Sequence, residues 1–595
     1  MFKRFMSFTK GYRILTIICP FMIYLDIIIE LEIPKAMGRV VDMLYTLEPG
    51  SEASKAMIVN ELSVEILKML LLCAVTLVVG YIASRCSAIA SMGFGANLRR
   101  ELFNKTQDLS FENINKLKIS SLITRMTSDV SQVQNVYKNT IVTFIKGPLM
   151  LISALVYALE ISRDLSVIFY VALPAIVIIL GAMGAMAVPI FKKMLKQTDE
   201  FNGVLRGNIN GIRVVKAFVR QEHEKSRFAV VNEAVMKLTI KAQSLMLYIM
   251  PAIMFVIYGC MVYALWRGSD IIIGNPQAAL DETGLSVGKL TAFITYISQV
   301  LSSLMMVLLV FVSMIMAKAS IDRISEVFKQ EPAVSDEGAD RNLTVEDGSI
   351  EFKNVYFKYN RDADKNILED ISLSVASGET LGIIGGTGSS KSTLIQLISR
   401  IYDADEGQVL VGGRDVKDYS FKNLRDEISV VLQESLLFSG TIRDNIRWGK
   451  LEATDEEIIE AAKAAQAHEF IEGFEKGYDT ELGQGGNTVS GGQRQRICIA
   501  RALIKKPKIL IFDDSTSAVD TATDTLIRRA LRSEEFAGIT KIIISQRITS
   551  IMDADRIVVM DNGRIHATGT HDELKESSEI YKEIFVSQQE GVLAQ

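Results

Sequence analysis

Leu381-Gly382-Ile383-Ile384-Gly385-Gly386-Thr387-Gly388-Ser389-Ser390-Lys391-Ser392-Thr393 is the stretch that decides how the polar half of this chain folds. The first four residues read as a buried strand, the middle as a glycine-rich loop, and the residues from Ser392 onward as an apolar helix. Glycines let backbone N–H groups approach phosphate oxygens, and a helix N-terminus favours anions. Lys391 can neutralise the outer phosphates of a nucleotide, and Ser392 can ligate Mg²⁺. One position departs from the phosphate-loop pattern: Ser390 stands where the pattern has glycine.

Downstream, Ile509-Leu510-Ile511-Phe512 reads as a central strand whose carboxyl end presents Asp513 toward Mg²⁺, with Asp514 directly after it. From Ile350 onward, strand-like runs such as SIEFKNVYFKY and ILEDISLSV alternate with helical ones, which predicts an α/β domain. Residues 330–348 (QEPAVSDEGADRNLTVEDG) are polar and acidic and read as a linker. The expected organisation is therefore a first domain over 1–328, a linker over 329–348 and a nucleotide-binding domain over 349–595.

The first half is of another kind. The 595 residues carry 65 Lys+Arg against 70 Asp+Glu, a formal charge of −5, yet 49% are hydrophobic. A greasy part joined to a polar part explains both figures, and the near-neutral balance argues against a nucleic-acid binder. Six apolar stretches meet the length of about 20 residues that a bilayer span needs: roughly 13–34, 64–91, 138–161, 165–191, 243–266 and 288–316. The first carries Asp26 and Glu30 and does not read as a signal peptide. Basic residues gather between spans two and three (Arg99, Arg100, Lys105, Lys116, Lys118, Arg125) and between spans four and five (Lys192 through Arg227), while Glu48, Glu52, Glu61, Asp281 and Glu282 lie in the other connections. The positive-inside rule puts the basic segments and both termini in the cytoplasm. Those segments keep helical spacing, so the membrane helices are expected to continue well past the bilayer. The five cysteines show no metal or redox spacing and read as buried hydrophobes.

Val489-Ser490-Gly491-Gly492-Gln493-Arg494-Gln495-Arg496 stands between the two phosphate-site motifs. Ser-Gly-Gly-Gln in that place resembles the signature of ATP-binding cassette (ABC) domains. Six spans followed by one cassette resemble an exporter-type ABC half-transporter over essentially the whole chain. The resemblance implies a helical membrane domain of six transmembrane helices with long cytoplasmic extensions, followed by an α/β P-loop cassette. It implies ATP and Mg²⁺ as cofactors, held by Gly385, Gly388, Ser390, Lys391, Ser392, Thr393 and Asp513. It gives Tyr359 the role of stacking on adenine, and Gln433 that of sensing Mg²⁺ and coupling to the membrane domain. Thr480–Gly486 and Ser517–Asp520 look like the loops that touch the intracellular helices and cross the dimer interface; coupling helices are expected near Phe111–Lys118 and Gly211–Val214. Two such cassettes stack head to tail, so Ser490, Gly491, Gly492 and Gln493 would serve the partner's nucleotide.

The family's hydrolytic site has a Glu after the Walker B aspartate and a switch His after the next strand. This chain has Asp514 and, following Lys541-Ile542-Ile543-Ile544-Ser545, Gln546. General acid–base catalysis contributes about 10²–10⁴ in rate, and a misplacement of about 1 Å can cost on the order of 100-fold. With Ser390, three departures fall in one site while the signature stays near consensus, with only Val489 replacing the usual Leu. The expectation is a degenerate subunit of a heterodimeric bacterial multidrug exporter, whose partner half-transporter carries the Glu and the His. Asp26 and Lys146 are candidates for a substrate cavity, because ionisable residues inside a membrane default to function. An acidic cavity would suit lipophilic or cationic small molecules. Met305, Met306, Met314 and Met316 enrich the last span, chiefly as packing. A lipid or peptide exporter, or a non-transporting ATP-gated regulator, is the alternative. Partners would be the second half-transporter, membrane lipids and the transported molecule, at a plasma membrane.

Overall fold

The computed structural model describes residues 6–45, 52–274, 284–360, 364–515 and 519–593. Contacts divide the chain into one unit made of Met1–Lys105 and Ser120–Lys329 and a second made of Thr106–Ile119 and Gln330–Gln595.

The first unit is helical. Among the described residues, six helical stretches are long and apolar enough to cross a membrane: Arg13–Tyr45, Val59–Asp108, Ile119–Ile161, Arg163–Asn210, Gln221–Gly274 and Val287–Lys329. The second has 50 residues, which at 1.5 Å per residue is about 75 Å, against roughly 30 Å of hydrocarbon. Each helix therefore runs on as expected, and the boundaries read from hydropathy mark only the greasy centres. The unit's core is a seam in which Ile23, Ile27 and Leu31 of the first span join Phe293, Tyr296 and Ile297 of the last. The Tyr296 hydroxyl donates to the carbonyl of Leu31 at 2.7 Å. The same two spans cross through glycines, since a Cβ on Gly288 would lie 1.9 Å from the Gly38 carbonyl oxygen. The last span is capped by the first: Asp42 accepts from the Ser286 hydroxyl at 2.6 Å and from the Gly288 N–H at 2.7 Å. That carboxylate satisfies donors that a helix start leaves open.

Four of the cysteines are buried, but Cys73 is exposed. The second span is apolar on most faces, so hydrophobicity there does not say which residues turn inward.

Among its described residues the second unit carries twelve strands: β1 (Ile350–Phe357), β2 (Leu368–Val375), β3 (Thr380–Gly385), β4 (Glu406–Val411), β5 (Arg414–Asp415), β6 (Ile428–Val431), β7 (Gly440–Thr441), β8 (Glu481–Leu482), β9 (Ile509–Asp513), β10 (Thr540–Ile544), β11 (Arg556–Asp561) and β12 (Arg564–Gly569). Six form the main sheet in the order β12-β11-β3-β10-β9-β6. All its pairs are parallel except β11 with β12. β9 and β10 are buried along their whole length, because apolar layers cover both faces, and a parallel strand covered on both sides is a continuous apolar run. The order β2-β1-β4-β5 makes a separate antiparallel sheet.

Residues 330–348 are fastened along this unit instead of hanging free. Arg400 donates to the Ser335 carbonyl at 2.8 Å, Asn423 donates to the Leu343 carbonyl at 2.8 Å, and Val345 is fully buried. The helix Phe111–Leu117 is packed here too. Its Asn113 donates to the Glu331 carbonyl at 3.1 Å, and its Asn115 donates to the Tyr402 hydroxyl at 3.1 Å.

Candidate nucleotide site

Parallel register brings the expected residues to one edge of the main sheet. Ile544 of β10 lies beside Ile383 of β3 and Asp513 of β9, and Val431 of β6 lies beside Phe512. The loops after β3, β6, β9 and β10 thus leave from the same carboxyl edge, where open α/β sheets bind ligands. They carry Gly386–Ser390, Gln433, Asp514 and Gln546.

The loop after β3 has the shape its sequence demands. Gly388 has φ +84° and Ser390 φ +71°. The second value gives a physical reason for the glycine usual at that place, since the left-handed region costs a residue with a Cβ energy that glycine escapes. Ser390 tolerates it and begins the helix Lys391–Ile398. Gly385 has no room for a side chain, because a Cβ would sit 2.1 Å from the Met560 carbonyl oxygen. A Cβ at Gly386 or Gly388 would meet nothing within 4 Å, so that side of the loop faces open space.

The Lys391 ammonium bends back over the loop and donates to the carbonyls of Gly385 (2.9 Å) and Gly386 (2.8 Å) and to the Ser389 hydroxyl (3.0 Å). Burial pushes its pKa below the ordinary lysine value, against the opposing pull of Asp514 and Asp513. The Ser392 hydroxyl donates to Asp513 at 2.8 Å. Burial pushes the Asp513 carboxyl up and the charge of Asp514 adds to this, while Ser392 and Lys391 oppose it. Both charged groups are therefore held at a cost that a bound partner would relieve. Two oxygens 2.8 Å apart also match adjacent corners of a Mg²⁺ octahedron with ligands at about 2.0–2.1 Å. The donor set fits a nucleotide polyphosphate with Mg²⁺: an open glycine-lined loop, a cation and a hydroxyl–carboxylate pair. The phosphates and metal would then supply the charge that Lys391 and Asp513 lack.

Asp514 follows with φ +46°, and Gln546 donates from Nε2 to its Oδ2 at 3.1 Å. The two departures from the hydrolytic pattern are thus hydrogen-bonded to each other. Tyr359 sits over the start of the helix Lys391–Ile398. Its hydroxyl lies 3.0 Å from the Thr393 hydroxyl and donates to Gln396 at 3.0 Å. Its ring stands edge-on to that of Tyr402 at 5.1 Å, the tyrosine that Asn115 reaches. Tyr402, Asn115 and Gln396 escaped the sequence reading, because nothing local in any of the three announces a partner.

Ser490 caps the 13-residue helix Gly491–Leu503, with its side chain accepting from the Gln493 N–H and its own N–H donating to the Gln493 side chain at 3.0 Å. Ser490 and Gly491 are exposed. Of the other loop expected at a dimer interface, Ser517 and Ala518 lie outside the described residues.

Two family descriptions match the chain: "ABC transporter transmembrane region" over residues 16–304 and "ABC transporter" over residues 368–517. The Bacillus subtilis (strain 168) ABC transporter ATP-binding protein YfiB is 36% identical over 590 residues, 98% of each chain. The chain is an ABC exporter half-transporter. The ABC transporter ATP-binding protein Rv1273c of Mycobacterium tuberculosis (strain ATCC 25618 / H37Rv) is 34% identical over 87% of this half-transporter and 86% of its own length. YgaD of Bacillus subtilis (strain 168), whose name reads "Putative multidrug export ATP-binding/permease protein", is 33% identical over 83% of each. A structure of a bacterial Atm1-family ABC exporter with ATP bound superposes with a TM-score of 0.81 at 25% identity, covering 97% of this half-transporter and 98% of that chain. The half-transporter is thus a multi-pass membrane protein with an ABC ATPase cassette.

In its membrane unit, Asp26 and Lys146 meet. The Lys146 ammonium donates to Asp26 at 2.9 Å and to Glu30 at 3.0 Å. Two residues after Glu30, Glu32 accepts from the Tyr157 hydroxyl at 2.9 Å. The charges that marked a possible substrate cavity satisfy one another between the first and third spans.

Proposed function

We propose that this half-transporter works in a heterodimer that exports lipophilic or cationic small molecules, and that its own nucleotide site binds Mg-ATP but turns it over slowly. The observation that carries this reading is the 3.1 Å hydrogen bond from Gln546 to Asp514. A carboxylate one methylene shorter than Glu is engaged by an amide that carries no transferable proton. A water attacking the γ-phosphate would find neither a free base nor an acid there. The signature Ser490–Gln493 is well formed, with Ser490 and Gly491 exposed, so a partner with the family's Glu and His would hydrolyse ATP against it. The site on Lys391 and Asp513 would act as a clamp that holds the cassettes together between turnovers.

The helix Ile212–Ala217 supports the need for a second chain. It contains no buried residue, and Val214, Phe218 and Val219 are 60%, 73% and 78% exposed. An apolar tip of this kind is what a coupling helix would present to the partner's cassette, whereas Phe111–Leu117 is packed on its own. Closure of the cassettes would then draw both tips together and turn the membrane helices outward, with nucleotide binding favouring the closed state. Two carboxylates against one ammonium at Asp26, Glu30 and Lys146 leave an excess of negative charge suited to a cation, and the name of YgaD agrees with a drug-like cargo. By the positive-inside rule, both termini and the basic excursions would face the cytoplasm at a bacterial plasma membrane.

The test is ATPase activity of this chain alone, then co-produced with a consensus half-transporter, then with that partner's Walker B Glu replaced by Gln. Activity confined to the complex and lost in the third preparation is expected. Full drug-stimulated activity of the chain alone overturns the reading.

A further inference from the structure

The cassette ends in the helix Glu579–Leu593, which no motif of the nucleotide site includes. Three of its residues, Tyr581, Phe585 and Gln588, recur at helical spacing on one face. The first two anchor it. Tyr581 is fully buried, with its hydroxyl 2.6 Å from His571 Nδ1. The ring of Phe585 packs against His571 at 5.5 Å and lies under the Lys575 ammonium at 4.8 Å. The third reaches the nucleotide site. Gln588 Nε2 donates to the backbone carbonyl of Gln546 at 2.6 Å, and its Oε1 accepts from the backbone N–H of Ile548 at 2.9 Å.

Those two backbone groups flank Arg547. They are the pair that a neighbouring residue would take up in a parallel ladder, so a side-chain amide here does the work of an extra strand. β10 has ended at Ile544, and the 3₁₀ turn starts only at Ile548. Between them the Arg547 N–H donates to the Ser545 hydroxyl at 2.9 Å, and the Ser545 N–H donates to the Ile383 carbonyl at 3.2 Å. Gln588 thus fixes the loop on both sides at the point where the Gln546 side chain departs for Asp514.

We infer that Gln588 is a positioning residue of this chain's nucleotide site: from the C-terminal helix it fixes the loop backbone at Gln546 and Ile548 and so holds the Gln546 amide against Asp514. This rests on the reading of Gln546 as the switch residue. A continuous path runs from the C-terminal helix through Gln588, the loop backbone and the Gln546 amide to the carboxylate beside the metal-binding Asp513. Substitution of Gln588 leaves the nucleotide-binding groups untouched and frees the loop to drift.

The experiment uses the full-length chain in its complex in proteoliposomes, with the partner's catalytic base removed so that the slow turnover of this chain's own site is what is read, and kcat, KM for ATP, pH profile and thermal midpoint are measured for each variant. Gln588→Leu is expected to lower kcat about 10-fold, less than the roughly 100-fold of a full 1 Å misplacement, with KM within about twofold. Gln588→Glu keeps an acceptor for Ile548 but sets a second oxygen against the Gln546 carbonyl. Its kcat relative to wild type should be low at pH 8 and recover toward pH 6, as a carboxyl proton replaces the lost donor. A Gln546→Ala arm separates the two readings. If it lowers kcat and Gln588→Leu does not, the positioning role is overturned. If Gln546→Ala itself changes nothing, the reading of Gln546 as switch fails first. Losses that track the thermal midpoint with a flat Gln588→Glu pH profile reduce Gln588 to a structural contact and also overturn the inference.

Discussion

Lys146→Met is the sharpest perturbation of the membrane unit. The substitution keeps an unbranched apolar stem out to Cε and removes the ammonium that lies 2.9 Å from Asp26 and 3.0 Å from Glu30. Asp26 is 8% exposed, so it cannot turn to water, whereas the Glu30 side chain is a third exposed and loses less. Removing one partner of a buried pair costs about 3–5 kcal/mol. Insertion scales price a lone Asp at the centre of a membrane helix at about 2.5–3.5 kcal/mol. The two routes agree near 3 kcal/mol. At about 2 °C per kcal/mol for a unit of this size, the thermal midpoint should fall by about 6 °C. The assay is fluorescence-detected size-exclusion after heating, in detergent, on the full-length chain. Asp26→Asn in the same background removes the stranded charge and should recover at least about half of the loss, a coupling of more than about 1 kcal/mol. A midpoint within about 1 °C of wild type, or a double variant that loses the sum of the two singles, refutes the pairing as a determinant of this unit.

Asp514→Glu combined with Gln546→His should raise turnover at this chain's site by about 10–100-fold, read in a complex whose partner has lost its own base; no rise refutes the slow-site reading. Asp513→Asn should raise the thermal midpoint without nucleotide and abolish the increment from Mg-ATP. The sign follows from burial: the folded carboxyl titrates above the ordinary Asp value of 3.8, so its charged form opposes folding as pH rises through that folded value. The gain should accordingly fade below about pH 4, where both states are protonated, and a gain that persists there refutes the account. Gly288→Ala places a Cβ 1.9 Å from the Gly38 carbonyl and 2.6 Å from the Asp42 carboxylate. Spreading that crossing should cost about 1–3 kcal/mol, and an unchanged thermal midpoint counts against the close approach.

The sheet was legible because its central strands are buried on both faces: Leu381–Ile384, Ile509–Phe512 and Ile542–Ile544 are unbroken apolar runs that no surface strand could afford. The phosphate loop was legible because its chemistry is local, with glycines, Lys391 and Ser392 adjacent in the chain. Asp26 and Lys146 were each visible as isolated charges in apolar runs, but their meeting was not, since hydropathy does not fix how the first and third spans are rotated about their axes. Cys73 was read as buried for the same lack of rotational information. Tyr402 and Asn115 lie in segments with no shared pattern, and Gln588 is one polar residue on a helix with several. Contacts made by single side chains across long separations leave no periodic trace.

The packing of Phe111–Leu117 against Tyr402 has a consequence for synthesis. Asn115 and its hydrogen-bond partner are separated by 287 residues. At about 5–20 residues per second, the segment emerges from the ribosome roughly 15–60 s before the tyrosine it binds. For that interval the helix carrying Asn115 has no cassette to rest on, while the spans on either side of it are already entering the bilayer. The order of assembly is thereby fixed by translation: membrane helices first, cassette second, and this joint last.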